Sequence, residues 1–313
     1  MKTIRNRFLA VCLLTLAAVT PGAAQGAPEI DVLHVRDNVY MLVGAGGNML
    51  VQVGDQGVLL VDAKSAEAAP VVMAAISELT DTPIIRWLIN THLHADHTAG
   101  DEALLKLGTA PSRALAPRVV AHENVLNRLV NPPEGQEIRV SEAASINDPY
   151  FGDFKDFHFN GEAVFVYYEP NAHTDGDSLV LLRGSDVIAA GDLFRPEAYP
   201  IIDLGNGGNV QGLIEALNDI LDLAVPALYQ EGGTYIVPGH GRLCDEADVV
   251  EYRDMVTIVR DRVQDMIDRG MSLEEVQAAR PTRDYDPRYG TDTGFWTTQD
   301  FVAAVYNSLA AGN

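Results

Sequence analysis

The first part of the chain alternates short apolar runs with turn residues. Pairs such as Asp37-Asn38 and Gly46-Gly47 separate the runs, which is typical of a meander of antiparallel strands. A helix-like segment at 65–79 follows, and then an apolar strand at 84–89. The predicted strands of the meander are 31–35, 39–43, 49–53 and 58–61.

The second part repeats this order. A helix is predicted near 101–107, a strand at 118–121 and an excursion loop at 131–156. Later elements are strands at 163–168, 178–182, 187–190 and 235–237, a helix at 210–223, and a mostly helical part at 245–310. Strands followed by strand–helix alternation, twice over, predict an α/β fold with two sheets packed face to face and helices outside.

The N-terminus has the pattern of a secretory signal. Lys2, Arg5 and Arg7 precede an apolar run at 8–19, and Pro21 and small residues follow it. The run is too short to span a bilayer as a helix. We therefore expect residues 1–24 to be a signal peptide and the mature protein to be periplasmic or secreted, without stable membrane association.

Charge narrows the range of partners. The chain carries 22 Lys and Arg against 44 Asp and Glu, for a net charge of −22. Such a surface repels phosphate backbones and anionic lipids, which argues against nucleic acid as a partner and favours a small-molecule substrate.

Cysteine content excludes an internal disulfide in the expected mature protein. Cys12 lies within the signal, so the mature chain keeps only Cys244. The oligomeric state is open.

A cluster of histidines indicates metal chemistry. Three of the eight histidines lie within the segment His92-Leu93-His94-Ala95-Asp96-His97, directly after the strand at 84–89. Imidazole and carboxylate are the ligands that Zn²⁺ favours outside thiolate sites. Three further candidates follow predicted strands and are flanked by Gly, Pro or Asp: His173, Asp192 and His240. Rigid strands can bring all of these side chains to one edge of the sheets.

Taken together, these motifs resemble the metallo-β-lactamase superfamily. The resemblance rests on the HxHxDH segment, a His before Thr-x-Gly-Asp, a Gly-Asp and a Gly-His. It implies an αββα sandwich over residues 28–245, with residues 246–313 as a helical extension packed on it. It also implies a dinuclear site, with one ion held by His92, His94 and His173, a second by Asp96, His97 and His240, and Asp192 bridging them.

The resemblance further implies a hydrolase. Two cations sharing a water lower its pKa, and the resulting hydroxide would attack the carbonyl of an ester, lactone, thioester or lactam. Asp96 would act as the catalytic residue that orients this hydroxide. The donor set favours two Zn²⁺ ions but also admits iron or manganese.

The branch of the superfamily stays open at this point. Arg195 lies where the commonest β-lactamase subclass has a cation for the substrate carboxylate, and Asn206 where that subclass has an amide near the lactam carbonyl. Arg195 is equally well explained as a surface arginine, and Asn206 is better explained as a turn residue. Asp192 and His97 depart from that subclass, so a general hydrolase is preferred to a true β-lactamase; a metal-binding protein without turnover is a third hypothesis.

Two further features allow structural interpretations. Asp62 follows a strand and is expected to support a ligand histidine from behind. The aromatic residues between 131 and 159 could form an apolar wall over the groove or take part in ordinary packing; these are Tyr150, Phe151, Phe154, Phe157 and Phe159. The C-terminal helices carry no visible chemistry and are expected to serve as a packing extension.

Overall fold

A computed structural model describes residues 29–108 and 116–310. The predicted signal peptide at 1–24 lies outside these residues. None of the helices in the described ranges is long and apolar enough to cross a membrane.

The first sheet has six strands, paired in the order in which they occur in the chain. The first four pair in antiparallel fashion, as the meander pattern predicts, and the last two join in parallel. The strands are β1 (Ile30–Arg36), β2 (Val39–Gly44), β3 (Gly47–Gly54), β4 (Gly57–Val61), β5 (Ile85–Ile89) and β6 (Arg118–Val120).

The second sheet has five strands, in the reverse of their chain order. Its pairs are antiparallel except for the last two strands, which run in parallel. The strands are β7 (Phe154–Phe159), β8 (Glu162–Glu169), β9 (Asp177–Leu182), β10 (Val187–Gly191) and β11 (Tyr235–Pro238).

Helices cover the outer face of each sheet. The first sheet is covered by α1 (Ala69–Leu79), α3 (Asp101–Gly108), α4 (Glu123–Val130) and α5 (Val140–Ser145), and the short helix α2 (Ala95–Thr98) follows β5 in the chain. The second is covered by α6 (Val210–Leu223), α7 (Glu246–Asp268), α8 (Leu273–Ala279), α9 (Asp286–Tyr289) and α10 (Thr298–Ala310). One apolar core fills each helix–sheet interface and a third lies between the sheets. The αββα sandwich is thereby confirmed.

The C-terminal helices are part of the second outer layer. Phe301 and Val305 of α10 are buried in the same core as Leu213 and Leu217 of α6. Helix α7 begins with a capping box, in which the Asp245 side chain accepts from the backbone of Asp248 and the Asp248 side chain accepts in return. Burial in the core shared with α6 fixes the position of α10 relative to the second sheet, and the capping box fixes the start of α7.

The segment at 131–159 is more regular than the sequence predicts. It contains α5, and its last residues form β7 at the edge of the second sheet. Tyr150 and Phe159 are buried between the sheets, and Phe157 stacks on Trp87 with ring centroids 3.7 Å apart. Tyr150, Phe157 and Phe159 therefore serve packing, whereas Phe151 and Phe154 are exposed.

Candidate metal centre

The seven predicted ligands meet at one edge of the sandwich. The segment 92–97 follows β5 of the first sheet. From the second sheet, His173 lies between β8 and β9, Asp192 follows β10 directly, and His240 follows β11. Because strands from both sheets end at this edge, residues far apart in sequence come together there.

Three histidines form the first group. The Nε2 atom of His92 lies 3.1 Å from Nδ1 of His94, and Nε2 of His173 lies 3.0 Å from the same Nδ1. His92 and His173 are fully buried, whereas His94 is partly exposed. Three ring nitrogens thus point at one small volume.

The other ring nitrogen of each of these histidines has a partner outside the group. Nε2 of His94 lies 2.9 Å from Oδ2 of Asp203, and Nδ1 of His173 lies 2.8 Å from the backbone oxygen of Ile201. Nδ1 of His92 lies 3.0 Å from the hydroxyl of Thr91, whose own proton goes to Asp62.

These outward contacts fix the proton on each ring. Carboxylate and carbonyl oxygens accept only, so the outward nitrogens of His94 and His173 carry the hydrogen. The same follows for His92, because the Thr91 hydroxyl already donates to Asp62. The inward nitrogens of His92 and His173 therefore each present a lone pair to the lone pair of His94 at about 3 Å. Lone pairs at this distance repel one another, and a cation bound between them would remove the repulsion.

The second group combines two imidazoles and two carboxylates. Nε2 of His97 lies 3.4 Å from Oδ1 of Asp192 and 3.6 Å from Oδ2 of Asp96. Nε2 of His240 lies 3.1 Å from Oδ2 of Asp96 and 3.5 Å from Oδ1 of Asp192. Within the described ranges, His97 Nε2 and Asp192 Oδ1 are buried and have no hydrogen-bond partner. Buried polar atoms of this kind call for a ligand or ion.

Burial and neighbouring charges shift the pKa values of the buried histidines in opposite directions. Burial lowers the pKa of His173 to about 4 and that of His92 well below its usual value. Burial alone would lower the pKa of His97, but the charges of Asp62 and Asp192 and the hydrogen bond with Asp62 raise it well above the usual value. A cation bound by His97 has to replace this proton, which makes binding pH-dependent.

The two carboxylates stay ionised. Burial alone would raise the pKa of Asp96, but its hydrogen bond with His240 and the charge of His97 bring it down to about 2. The charge of His97, whose Nε2 lies 3.4 Å from Oδ1, likewise outweighs the burial of Asp192 and holds the pKa of that carboxyl well below its usual range. Two permanent negative charges therefore balance a divalent cation at this group.

Asp62 supports the cluster from behind. Its Oδ2 accepts from His97 Nδ1 at 2.8 Å, and its Oδ1 accepts from the backbone of Thr91 at 2.8 Å. The sequence predicts this supporting position for Asp62. The residue has a positive φ of 68° just after β4, so the chain turns sharply to aim the carboxylate at the site.

Asn48, on β3, ties the His240 loop to the first sheet. Its amide donates to the backbone oxygens of Pro238 and Gly241 at 2.9 and 2.8 Å, and its backbone N–H donates to Gly239 at 2.7 Å. Gly239 leaves no room for a side chain, since a Cβ there would lie 2.2 Å from Oδ1 of Asp192. The loop is therefore held in one position close to the carboxylate.

Lys64 fixes the neighbouring hairpin. Its buried ammonium donates to the backbone oxygens of Gly44, at 2.7 Å, and Gly47. Burial lowers the pKa of Lys64 to about 8, against the opposing charges of Asp62 and Asp96. The hairpin between β2 and β3 is thereby held beside the His240 loop.

A groove of about 850 Å³ opens over the cluster. Its floor includes side chains of His94, Asp96, Asp192 and His240. Its walls are largely apolar and include Ile201, Ile202, Leu204, Phe295, Trp296, Ala303 and Ala304. A small-molecule substrate could reach the metal donors along this groove.

The two predicted substrate residues lie in different settings. Arg195 lines the groove, and its Nε is buried without a hydrogen-bond partner among the described residues. Asn206 is buried and does not line the groove: its amide nitrogen donates to Oδ2 of Asp203 at 2.7 Å. Asn206 thus holds the carboxylate that in turn holds His94.

Sequence reasoning missed Asp203, Phe295 and Trp296. Asp203 lies far from the histidine segment, and an Asp before a Gly-rich turn has no distinguishing pattern. Phe295 and Trp296 come from the C-terminal part, for which only packing was expected. The Gly-Phe-Trp sequence after polar residues was the available signal, because aromatic residues in a loop often line a binding surface.

The donor sets fit metal ions on chemical grounds. Three overlapping groups have one donor atom per residue within 4.8 Å of one another: His92–His94–His173, His92–His97–Asp192 and Asp96–His97–His240. Nitrogen and oxygen donors suit zinc, iron and manganese. Cys244 is buried, is a free thiol and belongs to none of these groups.

Comparison with known families agrees with the geometry. A model of the metallo-β-lactamase superfamily matches residues 42–240. Since that range is more than half of the chain, the protein belongs to the metallo-β-lactamase superfamily, and its fold and donor set are those of a metallo-hydrolase. No curated protein sequence matches the chain significantly.

Solved structures share the fold at low sequence identity. The stereoselective inverting sec-alkylsulfatase Pisa1 from Pseudomonas sp. is 15% identical, with a TM-score of 0.65 over 89% of this chain and 50% of that chain. A metallo-β-lactamase from Pontibacter korlensis is 16% identical, with a TM-score of 0.55 over 73% of this chain and 99% of that chain. The chain thus spans half the length of the alkylsulfatase, and these likenesses establish the fold alone.

Proposed function

We propose that the protein is a dinuclear zinc hydrolase, exported to the periplasm or secreted, that cleaves an ester, lactone, thioester or lactam. The observation that carries this proposal is the convergence of three imidazole lone pairs beside buried, unpartnered atoms of His97 and Asp192. Such an arrangement is costly in a protein interior unless a cation binds there. Residues 1–24 are assigned as the export signal and removed from the mature protein.

The proposed ligand assignment follows the three donor groups. His92, His94 and His173 would hold the first ion, Asp96, His97 and His240 would hold the second, and Asp192 would be available to both. Asp192 suits the shared position because its Oδ1 lies within 3.5 Å of His97 and His240 and it also groups with His92. When bound, two such cations supply a hydroxide nucleophile at neutral pH and polarise the scissile carbonyl.

The protein's own groups position the reactants. Asp96 is ionised and partly exposed to the groove, so its carboxylate accepts a hydrogen bond from the attacking water and orients it. Arg195 has no ion-pair partner among the described residues and offers a cation on the groove wall for a negatively charged substrate group. Asp203 and Asp62 hold His94 and His97 in the tautomers that aim a lone pair into the site.

A β-lactam is the second candidate substrate. The observation in its favour is Arg195, because an unpaired guanidinium on the groove wall suits the carboxylate that such substrates carry. Alkyl sulfates form a useful further arm of the substrate panel, since a similar structure is that of an alkylsulfatase.

The test joins metal content with turnover. The purified mature protein is analysed for bound metal and assayed with a thioester, a lactone, nitrocefin and an alkyl sulfate. Two equivalents of zinc and chelator-sensitive cleavage of a carbonyl substrate support the proposal; nitrocefin turnover favours the β-lactamase alternative. Two metals without any hydrolysis indicate a metal-binding protein without turnover, and no metal refutes the site.

Variants locate the activity. His94→Ala and Asp192→Ala are expected to abolish turnover with little loss of fold, because each removes a donor. His34→Ala is the matched control, since His34 is exposed on β1 and contacts Asp37 and Tyr40 rather than the predicted ligands. Full activity in either ligand variant contradicts the assignment.

A further inference from the structure

The C-terminal helical part forms one wall of the groove. Phe295 and Trp296 precede α10, and Ala303 and Ala304 lie on it; all four line the groove above the metal donors. Ile201, Ile202 and Leu204 line it from the segment between β10 and α6. The part of the groove wall formed by Phe295, Trp296, Ala303 and Ala304 therefore lies outside residues 42–240, the range matched by the family model.

The aromatic pair is held in place by its own loop. Thr298 donates its backbone N–H to the oxygen of Thr291 at 2.9 Å, and the Thr298 hydroxyl accepts from the Thr291 backbone at 3.0 Å. These bonds close the loop at its base. The indole nitrogen of Trp296 donates to the oxygen of Pro200 at 3.1 Å, which fixes the ring against the segment after β10. The wall is thus organised before any ligand binds.

The two carboxylates on this side of the groove already have partners. Asp300 accepts from the backbone and the hydroxyl of Thr297, at 2.8 and 2.6 Å. Asp203 accepts from His94 and Asn206. What the wall offers a ligand is chiefly apolar surface, and Phe295 is 84% exposed at its edge.

A second cavity lies on the other side of the aromatic pair. Its volume is about 210 Å³, and Arg195, Phe295 and Trp296 line both cavities. Replacing Phe295 by a small residue therefore removes apolar surface from both cavities. Because of this position, we expect the side chain of Phe295 to influence which substrates the groove accepts.

Resting on the proposed hydrolase function, we propose that the substrate carries an extended apolar group, an alkyl chain or an aromatic ring, which packs against Phe295 and Trp296. Ala303 provides room for that group on the surface of α10, because a larger side chain there would project into the groove. Phe295, Trp296 and Ala303 are the specificity-determining residues, and the metal donors carry the reaction.

The experiment compares acyl groups on one leaving group. The metal-loaded full-length mature protein is assayed with p-nitrophenyl acetate, octanoate and phenylacetate. We expect a higher kcat/KM for the apolar esters. Phe295→Ala lowers the ratio of octanoate to acetate kcat/KM by about tenfold, mainly through KM, because apolar contact is lost. Ala303→Leu lowers the same ratio by filling the groove. Comparison of the octanoate and phenylacetate esters shows whether the groove prefers an alkyl chain or an aromatic ring.

Phe151→Ala is the matched control, since Phe151 is 67% exposed and does not line the groove. If Phe295→Ala and Phe151→Ala give the same ratio of octanoate to acetate kcat/KM as the unchanged protein, the inference is overturned.

A second measurement distinguishes failure of this inference from failure of the proposed hydrolase function. Octanoate and acetate binding to the metal-loaded protein are compared by calorimetry, which needs no turnover. Selective binding of octanoate that Phe295→Ala weakens supports the proposed apolar contact with Phe295, even if no ester is cleaved. Absence of ester cleavage would refute only the hydrolase proposal. Equal binding of octanoate and acetate, or selective binding that Phe295→Ala leaves unchanged, overturns the proposed contact.

Discussion

Oδ2 of Asp203 lies 2.9 Å from Nε2 of His94, and this contact joins residues 109 positions apart in the chain. The carboxylate also accepts from the Asn206 amide, and these two hydrogen bonds outweigh burial and lower the pKa of Asp203. Asp203 therefore remains ionised and keeps the proton of His94 on Nε2. The orientation of a predicted metal ligand thus depends on a residue beyond the histidine segment.

Replacing Asp203 by asparagine tests this dependence. The amide can still accept from His94, but the charge that favours the Nε2–H tautomer is lost. We expect zinc affinity to fall by about 10- to 100-fold, as measured by competition with a chromophoric chelator. Asp222→Asn, an exposed change on α6, is the control. Equal zinc affinity in Asp203→Asn and the unchanged protein would contradict the role of Asp203.

Asn48→Ala tests the attachment of the His240 loop. The change leaves the backbone oxygens of Pro238 and Gly241 without their amide donor, at an expected cost of about 1–3 kcal/mol in unfolding free energy. We also expect the metal content to fall from two ions toward one after dialysis against a weak chelator. Asn38→Ala removes a comparable bond, to Val53, away from the site and should destabilise the protein without loss of metal. Full metal content in Asn48→Ala would refute this role.

Gly239→Ala tests the close approach at Asp192. The added Cβ would lie 2.2 Å from Oδ1 of Asp192 and 2.9 Å from Cε1 of His97, so one of these side chains has to move. We expect at least about a hundredfold loss of kcat, because small displacements of catalytic groups are costly. Gly184→Ala makes a tight contact with Glu162, away from the site, and is the control. Normal turnover in Gly239→Ala would show that the loop adjusts without disturbing Asp192.

Glu169→Gln tests a pH dependence of stability. Burial raises the pKa of Glu169 to about 9, and the nearby carboxylates of Asp219 and Asp177 contribute. The folded protein therefore holds a proton that the unfolded chain releases near pH 4.5, and stability falls as pH rises between these values, by up to about 1.4 kcal/mol per pH unit. The glutamine variant should lose this part of the slope in urea unfolding of the metal-loaded protein at pH 6 and 8. Glu215→Gln, exposed on α6, should keep it; an unchanged slope in Glu169→Gln would contradict the prediction.

The fold was predictable from the sequence because local patterns and the histidine motif agree. The helix predicted at 210–223 coincides with α6, and the meander strands lie within β1 to β4. Residues 131–156 were less predictable: the polar, Pro- and Gly-rich sequence suggests a loop, whereas Phe154–Phe159 pairs with β8 as an edge strand. Pairing of an edge strand is a tertiary effect that local composition does not encode.

The metal site was predictable as a set of residues, but its supporting contacts were not. His92, His94 and His173 follow recognisable motifs, and the structure brings them together. The partner of His94 depends on how the segment after β10 folds back, and this placed Asp203 at the groove and Asn206 behind it. The aromatic wall likewise depends on the packing of α10, which brings Phe295 and Trp296 over a site far from them in sequence.

Each of the three donor groups takes residues from both sheets. The segment 92–97 belongs to the first sheet, whereas His173, Asp192 and His240 belong to the second. An ion bound by any of these groups therefore cross-links the two halves of the sandwich. Because such an ion binds only the folded chain, its binding free energy adds to the free energy of unfolding and increases with metal concentration. The one cysteine in the described ranges is a buried free thiol, so an ion bound here would supply the kind of cross-link that a disulfide provides in other folds.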